Sequence, residues 1–283
     1  MNHRNSYDFV YRFDSAAALL DRLPAMGPFY AQGRVRGAGL GRTVPAFSPI
    51  RLPGLEQVCD PDAGIAFSAD LLRGVLAGLA GGAGGVNGTD RIGDVLEFEF
   101  APFPGALSLH KFPTSEQPAA ILDSVGGLPG CVLDEYRVAA WKASLPQPAT
   151  ISHGCRRRAA RRCVHPERLP VFHVLQHAVE EGLCLDFRIA SQCVDLAACF
   201  TPALLKQMGP FLVAVDGPAE HACHLDLRLL HQLEIRRCYL EGAWFSRLQV
   251  WNVYGEPQLQ LLAEDGDLVR FWTVLCEEGV GGF

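Results

Sequence analysis

Lysine is scarce in this sequence of 283 residues, standing only at positions 111, 142 and 206. Arginine supplies the other cations, and acidic residues outnumber basic ones 31 to 25, for a formal net charge of -6. That balance argues against general affinity for nucleic acid or an anionic membrane, since both are polyanions that attract a cationic surface. The local exception is a basic run at Arg156, Arg157, Arg158, Arg161 and Arg162. No stretch reaches the ~18 consecutive apolar residues a spanning helix needs, so membrane insertion is not expected. The opening residues, MNHRNSYDFVYRFDS, lack the apolar segment of a secretory signal. A dense cysteine framework is missing too: the ten cysteines are scattered singly, which predicts reduced, mostly buried thiols in a cytoplasmic protein. Oligomeric state is not legible.

What the chain does have is 49% hydrophobic residues, enough for a sizeable core, and self-similarity. ALLDRLPAMGPFYA at 18–31 returns as ALLKQMGPFLVA at 203–214. Each reads as a short amphipathic helix closed by Gly-Pro and passed to an apolar strand. LEFEFAPFPGALSLHKFPTSEQPAAIL at 96–122 lines up with SRLQVWNVYGEPQLQLLAEDGDLVRFW at 246–272, matching Gly105 to Gly255 and Leu109 to Leu259. Both read as strand, glycine-containing turn, strand and a polar loop into a helix.

The expected fold class is therefore α+β, with two structurally related tandem halves, each an antiparallel β-sheet covered by helices. The expected organisation is an N-terminal repeat at 1–144, a Pro- and Arg-rich linker at 145–168 and a C-terminal repeat at 169–283. The glycine run LAGGAGGVNGTD follows a helical pattern at 68–79 and precedes a strand. That is the reverse of the strand, loop, helix order of a phosphate cradle, so it reads as a connector.

The linker carries His153, Cys155, Cys163 and His165, four potential zinc ligands. Their His-x-Cys-x7-Cys-x-His arrangement matches no familiar finger, and ligands one residue apart point away from each other in an extended chain. Zinc is the minor expectation and a tether the major one. Just beyond it, RLPVFHVLQHAVEEGL predicts a helix with Pro170 at its first position and Gly182 as its stop, and LDFRIASQCVDLA at 185–197 reads as a further helix after it. Val171, Phe172, Val174, Leu175, Ala178 and Val179 fall on one face; His173, Gln176, His177 and Glu180 fall on the other.

The second half resembles the C-terminal repeat of the HemS/HmuS/ChuS family of bacterial cytoplasmic haem-utilisation proteins. The resemblance rests on Gly209-Pro210-Phe211, His224-Leu225, Arg236-Arg237, Glu241-Gly242 and Tyr254-Gly255, with Phe103, Gly105, His110 and Lys111 matching a hairpin of the family's first repeat. It implies a haem-binding protein that receives imported haem and either traffics it or assists its degradation, and, if an enzyme, haem oxygenase-like activity. A haem importer or a haem oxygenase is the implied protein partner. On their own pattern the two histidines of the helix read equally as a surface pair; the iron ligand that the resemblance implies is His173, with His177 one turn on as an alternate ligand, a supporting group or a surface residue. Arg188, Arg236 and Arg237 are candidates for the propionates, which suit a forked cationic donor; His224 matches a family histidine in the sheet and reads equally as a structural imidazole. The chain departs from the family at two places. Its Arg-Asn-Glu-His-Ala-Val-His segment has no counterpart after Phe29, and Ala66 stands where the family has an arginine on one face of the haem. These departures keep open a relative that retains the fold, has lost haem and serves as an interaction or regulatory protein.

Overall fold

The computed structural model describes residues 7–52, 57–80, 94–103, 105–111, 121, 127–132, 137, 139–140, 165–240 and 242–264. In chain order the strands are β1 (Tyr7–Phe13), β2 (Phe29–Val35), β3 (Ala38–Val44), β4 (Ile50–Arg51), β5 (Gln57–Asp60), β6 (Ile65–Ser68), β7 (Leu72–Ala80), β8 (Asp94–Phe100), β9 (Ala106–Lys111) and β10 (Gly130–Val132). They continue as β11 (Leu185–Ala190), β12 (Val194–Phe200), β13 (Leu204–Met208), β14 (Phe211–Val215), β15 (His221–Asp226), β16 (Leu230–Leu240), β17 (Ala243–Asn252) and β18 (Pro257–Glu264). Two α-helices are delineated among the described residues, α1 (Ala16–Leu20) and α2 (Pro170–Glu180). The expectation of helices covering each sheet is thus corrected: the protein is mostly β, built on two large antiparallel sheets. The chain divides into unit 1 (Met1–Gly33, Thr43–Ala149, Gln192–Val194) and unit 2 (Arg34–Arg42, Thr150–Ser191, Asp195–Phe283).

In unit 1 the strand order is β10-β1-β7-β8-β9-β2, with β4-β5-β6 forming a separate series. The stretch expected to be helical near 68–79 is β7, paired antiparallel with both β1 and β8. Val75, Leu76 and Ala77 are all buried, so the strand shows an unbroken apolar run in place of an alternating one, and such runs resemble buried helix. Gly74 and Gly78 tip the balance, because glycine lowers helix stability by about 1 kcal/mol each relative to alanine. The glycine-rich connector has strands on both flanks; its residues 81–93 lie outside the described ones. The core of unit 1 gathers Leu19, Leu23, Met26, Phe47 and Leu76 with an aromatic cluster in which Phe67 lies 5.6 Å from Phe98 and 5.8 Å from Phe100.

In unit 2, β3-β15-β14-β13 form one series and β16-β17-β18-β11-β12 another. The segment 204–208, expected as a helix, is β13, an edge strand whose residues are largely exposed. Gly209, at φ +59°, lets the chain reverse in two residues so that Met208 pairs with Phe211. This tight hairpin asks for glycine at its first loop position. LDFRIASQCVDLA, expected as a helix after α2, is the β11–β12 hairpin. Leu185, Phe187 and Ile189 point inward while Asp186 and Arg188 point outward, a period-two signal present in the sequence. The repeated Gly-containing hairpins also differ. Leu109 pairs with Leu96, whereas Leu259 pairs with Val250, four residues beyond the Ser246 that aligns with Leu96. Gly105 and Gly255 therefore correspond in sequence and not in turn position.

Helix α2 forms where the sequence predicts it. Pro170 occupies the first turn, where no amide donor is needed, and Gly182 adopts φ +63° just past the end. Val171, Val174, Leu175 and Ala178 are buried. Removing such side chains from water contributes on the order of 1.5–3 kcal/mol for each large aliphatic, and this fixes which face of the helix looks out.

Candidate functional site

The outward face of α2 carries His173 and His177, both half-buried, with Glu180 exposed beside them. His173 Nε2 lies 2.8 Å from the backbone oxygen of Glu167, in the turn that enters the helix. A carbonyl oxygen only accepts, so Nε2 carries a proton, and in the neutral ring Nδ1 is the nitrogen left with a lone pair. That is the arrangement in which a backbone carbonyl fixes the tautomer of a ligating imidazole. Nδ1, next to the Cβ-bearing ring carbon, is the nitrogen left to a metal, and ligation through the less hindered Nε2 requires the bond to Glu167 to break.

The cationic candidates fit less readily. Arg188, on the outward face of β11, forms a two-point ion pair with Asp195, its Nε 2.8 Å from Oδ1 and its Nη2 on Oδ2. Its pKa is raised by that hydrogen bond. Arg236, on the outward face of β16, is paired with Glu234. The guanidinium of Arg237 lies 5.2 Å over the ring of Trp244. A propionate reaching Arg188 or Arg236 must compete with a carboxylate already in place.

His224 occupies a different environment. It faces Gly39 across β3 and β15, and a Cβ added at Gly39 would come within 2.0 Å of the imidazole Cε1. The glycine is thus the space in which the ring lies. Phe211 closes one side edge-on, 6.1 Å between centroids. Burial pushes the His224 pKa down to about 4, the Arg34 charge pushes the same way and Asp226 opposes. The ring is neutral near pH 7. Of the linker ligands, His153, Cys155 and Cys163 lie outside the described residues; His165 Nδ1 sits 3.4 Å from Glu167 Oε1. Among the described residues no cluster of three or more His, Cys, Asp or Glu is placed to hold a metal. Ala66, at the position of the family arginine, is a half-buried residue of β6 in unit 1, opposite Cys59.

Several features escape sequence reasoning. His221 Nδ1 is 2.7 Å from Asp216 Oδ2, and its ring stacks on Phe200 at 5.3 Å; the Asp-x4-His spacing across the β14–β15 turn is the available signal. Cys184 and Cys199 bring their sulphurs to 3.2 Å, a pairing visible only once 185–200 is read as a hairpin. Both line a cleft of about 620 Å³ with Leu183, Asp186, Phe245 and Leu262. Asp186 has its pKa raised by burial, against the opposing charges of Arg188 and Arg42.

Among the described residues no helix is long and apolar enough to cross a membrane. No family model matches the chain, and no curated protein matches it in sequence. Solved structures do. Holo-PhuS, a heme-binding protein from Pseudomonas aeruginosa, is 16% identical with a TM-score of 0.64, over 93% of this chain and 84% of its own. ChuS, an E. coli heme oxygenase, is 12% identical with a TM-score of 0.64, over 96% of this chain and 89% of its own. A further ChuS structure from Escherichia coli O157:H7, described as a heme degrading enzyme, gives 11% identity and a TM-score of 0.65, over 92% of this chain and 82% of its own. Over nearly all of its length, this chain has the fold of PhuS and ChuS.

Proposed function

We propose that this chain binds haem in the cytoplasm, receiving imported haem and either passing it on or assisting its degradation for iron release. The supporting observation is the fold held in common with a heme-binding protein over 93% of the chain and with a heme oxygenase over 96%. His173 is the residue assigned to the iron, presented by the outward face of α2 with its tautomer set by the Glu167 carbonyl. His177 stands one turn on, and Arg188, Arg236 and Arg237 are assigned to the propionates. Haem, when bound, supplies the oxygen or electron chemistry; the side chains named here bind and orient it.

Hemin added to the purified protein is expected to give a saturable shift of the Soret band. His173→Ala is expected to weaken or displace that shift, while His177→Ala has the smaller effect. Identical titrations for wild type and His173→Ala remove the ligand assignment. Absence of any saturable binding favours the other reading, a relative that keeps the fold without haem and works as an interaction or regulatory protein. Ala66 and the carboxylates already holding Arg188 and Arg236 favour that second reading. Zinc at His153, Cys155, Cys163 and His165 would accompany it, and metal analysis of the isolated protein tests that directly.

A further inference from the structure

Cys184 and Cys199 are both free, exposed and on the wall of the same cleft. Cys199 is the penultimate residue of β12, directly opposite Asp186 of β11. Cys184 stands two residues before Asp186 and so on the same side of the strand. It precedes Leu185, the first residue held in the ladder, so its backbone is not fixed by cross-strand pairing. The sulphurs are 3.2 Å apart, and a covalent bond of about 2 Å needs only a further ~1 Å of approach.

We propose that Cys184 and Cys199 form a thiol–disulfide exchange site that takes small-molecule disulfides, of which oxidised glutathione is the probe. The Cys184 thiolate attacks one sulphur of the disulfide, forming a mixed disulfide and releasing the first thiolate, which takes a proton from water. Cys199 then gives up its proton to solvent and attacks the Cys184 sulphur. The protein disulfide forms and the second small thiol leaves. Two electrons pass from the dithiol to the oxidant: one disulfide is consumed, one is made, and two small thiols are released.

The order of attack follows from the surroundings. Partial desolvation by the surrounding strands pushes the Cys199 thiol up to about 12, the hydrogen bond and charge of Cys184 add to this, the Asp186 carboxylate adds further, and Arg42 opposes. Cys199 therefore holds its proton and can donate it toward the Cys184 sulphur, which makes Cys184 the first nucleophile. Among the same cysteines, Cys193 and Cys223 are buried with thiols pushed up to about 11 and about 12 by burial, and neither lines the cleft.

The full chain, free of hemin, is incubated in defined ratios of reduced to oxidised glutathione, quenched by alkylation and mapped by peptide mass. A Cys184–Cys199 linkage is expected to accumulate and to reverse on adding reduced glutathione. Cys199→Ser is expected to leave glutathione attached at Cys184. Cys184→Ser is expected to slow modification of Cys199 by about tenfold or more, given its raised pKa. Phenylarsine oxide, which bridges two thiols without oxidising them, is expected to protect both cysteines together. The proposal is overturned if both thiols remain alkylatable in oxidised glutathione, if the wild type accumulates an unresolved adduct at Cys184, or if Cys184 links to a different cysteine.

Discussion

Two histidines of unit 2 illustrate opposite uses of one side chain. His224 is wedged between paired strands, with Gly39 beneath it and Phe211 at its edge. Its neighbours leave one placement for the ring, and burial keeps that ring neutral. His173 rides the outward face of a helix whose inward face does the packing; its ring meets one backbone carbonyl and, 5.7 Å away, the neighbouring Phe172 ring. The first imidazole is coupled to the fold and the second is nearly independent of it. A binding role is open to a group that can be moved without unfolding anything, and His173 meets that condition where His224 does not.

The sharpest way to break this contrast is at Gly39. Alanine there must push the His224 ring or the strand, since its Cβ would sit 2.0 Å from Cε1. The expected destabilisation is about 3 kcal/mol, at the upper end of the usual overpacking range, measured by urea unfolding. In the double variant Gly39→Ala with His224→Ala the clash disappears, so the combined loss is expected to be smaller than the sum of the two single losses. Additive losses would show that the ring does not occupy the space above Gly39.

Acid is expected to have an effect of similar size. The folded-state pKa of His224, about 4, lies below the ordinary histidine value of 6.5. Between those values the unfolded chain binds more protons than the native one, so stability falls as pH drops through that window and levels off below it. The full effect is roughly 3–4 kcal/mol, because each pKa unit separating the folded from the unfolded state is worth about 1.4 kcal/mol. His224→Gln is expected to flatten that segment of the stability profile. An unchanged slope between pH 6.5 and 4 in the variant would assign the acid sensitivity to other groups.

The same contrast explains what the sequence can and cannot reveal. Helix α2 is legible in full because Pro170, a 3.6-residue apolar stripe and Gly182 agree with one another. Strand β7 is not, because burial on both faces erases the alternation that marks a strand. Edge strand β13 is hidden for the opposite reason, since a mostly exposed strand has too little apolar pattern of either period. The β11–β12 hairpin has the right alternation, Leu185, Phe187 and Ile189 against Asp186 and Arg188, and is obscured by the expectation of a second helix after α2. With the hairpin obscured, so are the Cys184–Cys199 pair and the Arg188–Asp195 ion pair, because cross-strand neighbours are defined by register and register is not written locally. His173 is legible as an outward residue; its bond to Glu167 is not, since a backbone acceptor leaves no trace in residue type.

The smallest expected effect on stability bears most directly on ligand binding. Arg188 and Asp195 are exposed to 48% and 28%, and ion pairs in such positions contribute about 0–1 kcal/mol. Arg188→Ala and Asp195→Asn should therefore leave the unfolding midpoint almost unchanged. Their effects on hemin should have opposite signs. On the proposed assignment, losing Arg188 is expected to remove a propionate donor and weaken binding, whereas neutralising Asp195 is expected to free the guanidinium from its two-point partner and strengthen binding, with each change shrinking as salt screens the charges. Equal affinities for wild type and both variants at low ionic strength would mean that Arg188 serves Asp195 alone. The propionates would then have to be met by Arg236 or Arg237, and the competition Arg236 faces from Glu234 can be read from Glu234→Gln in the same titration.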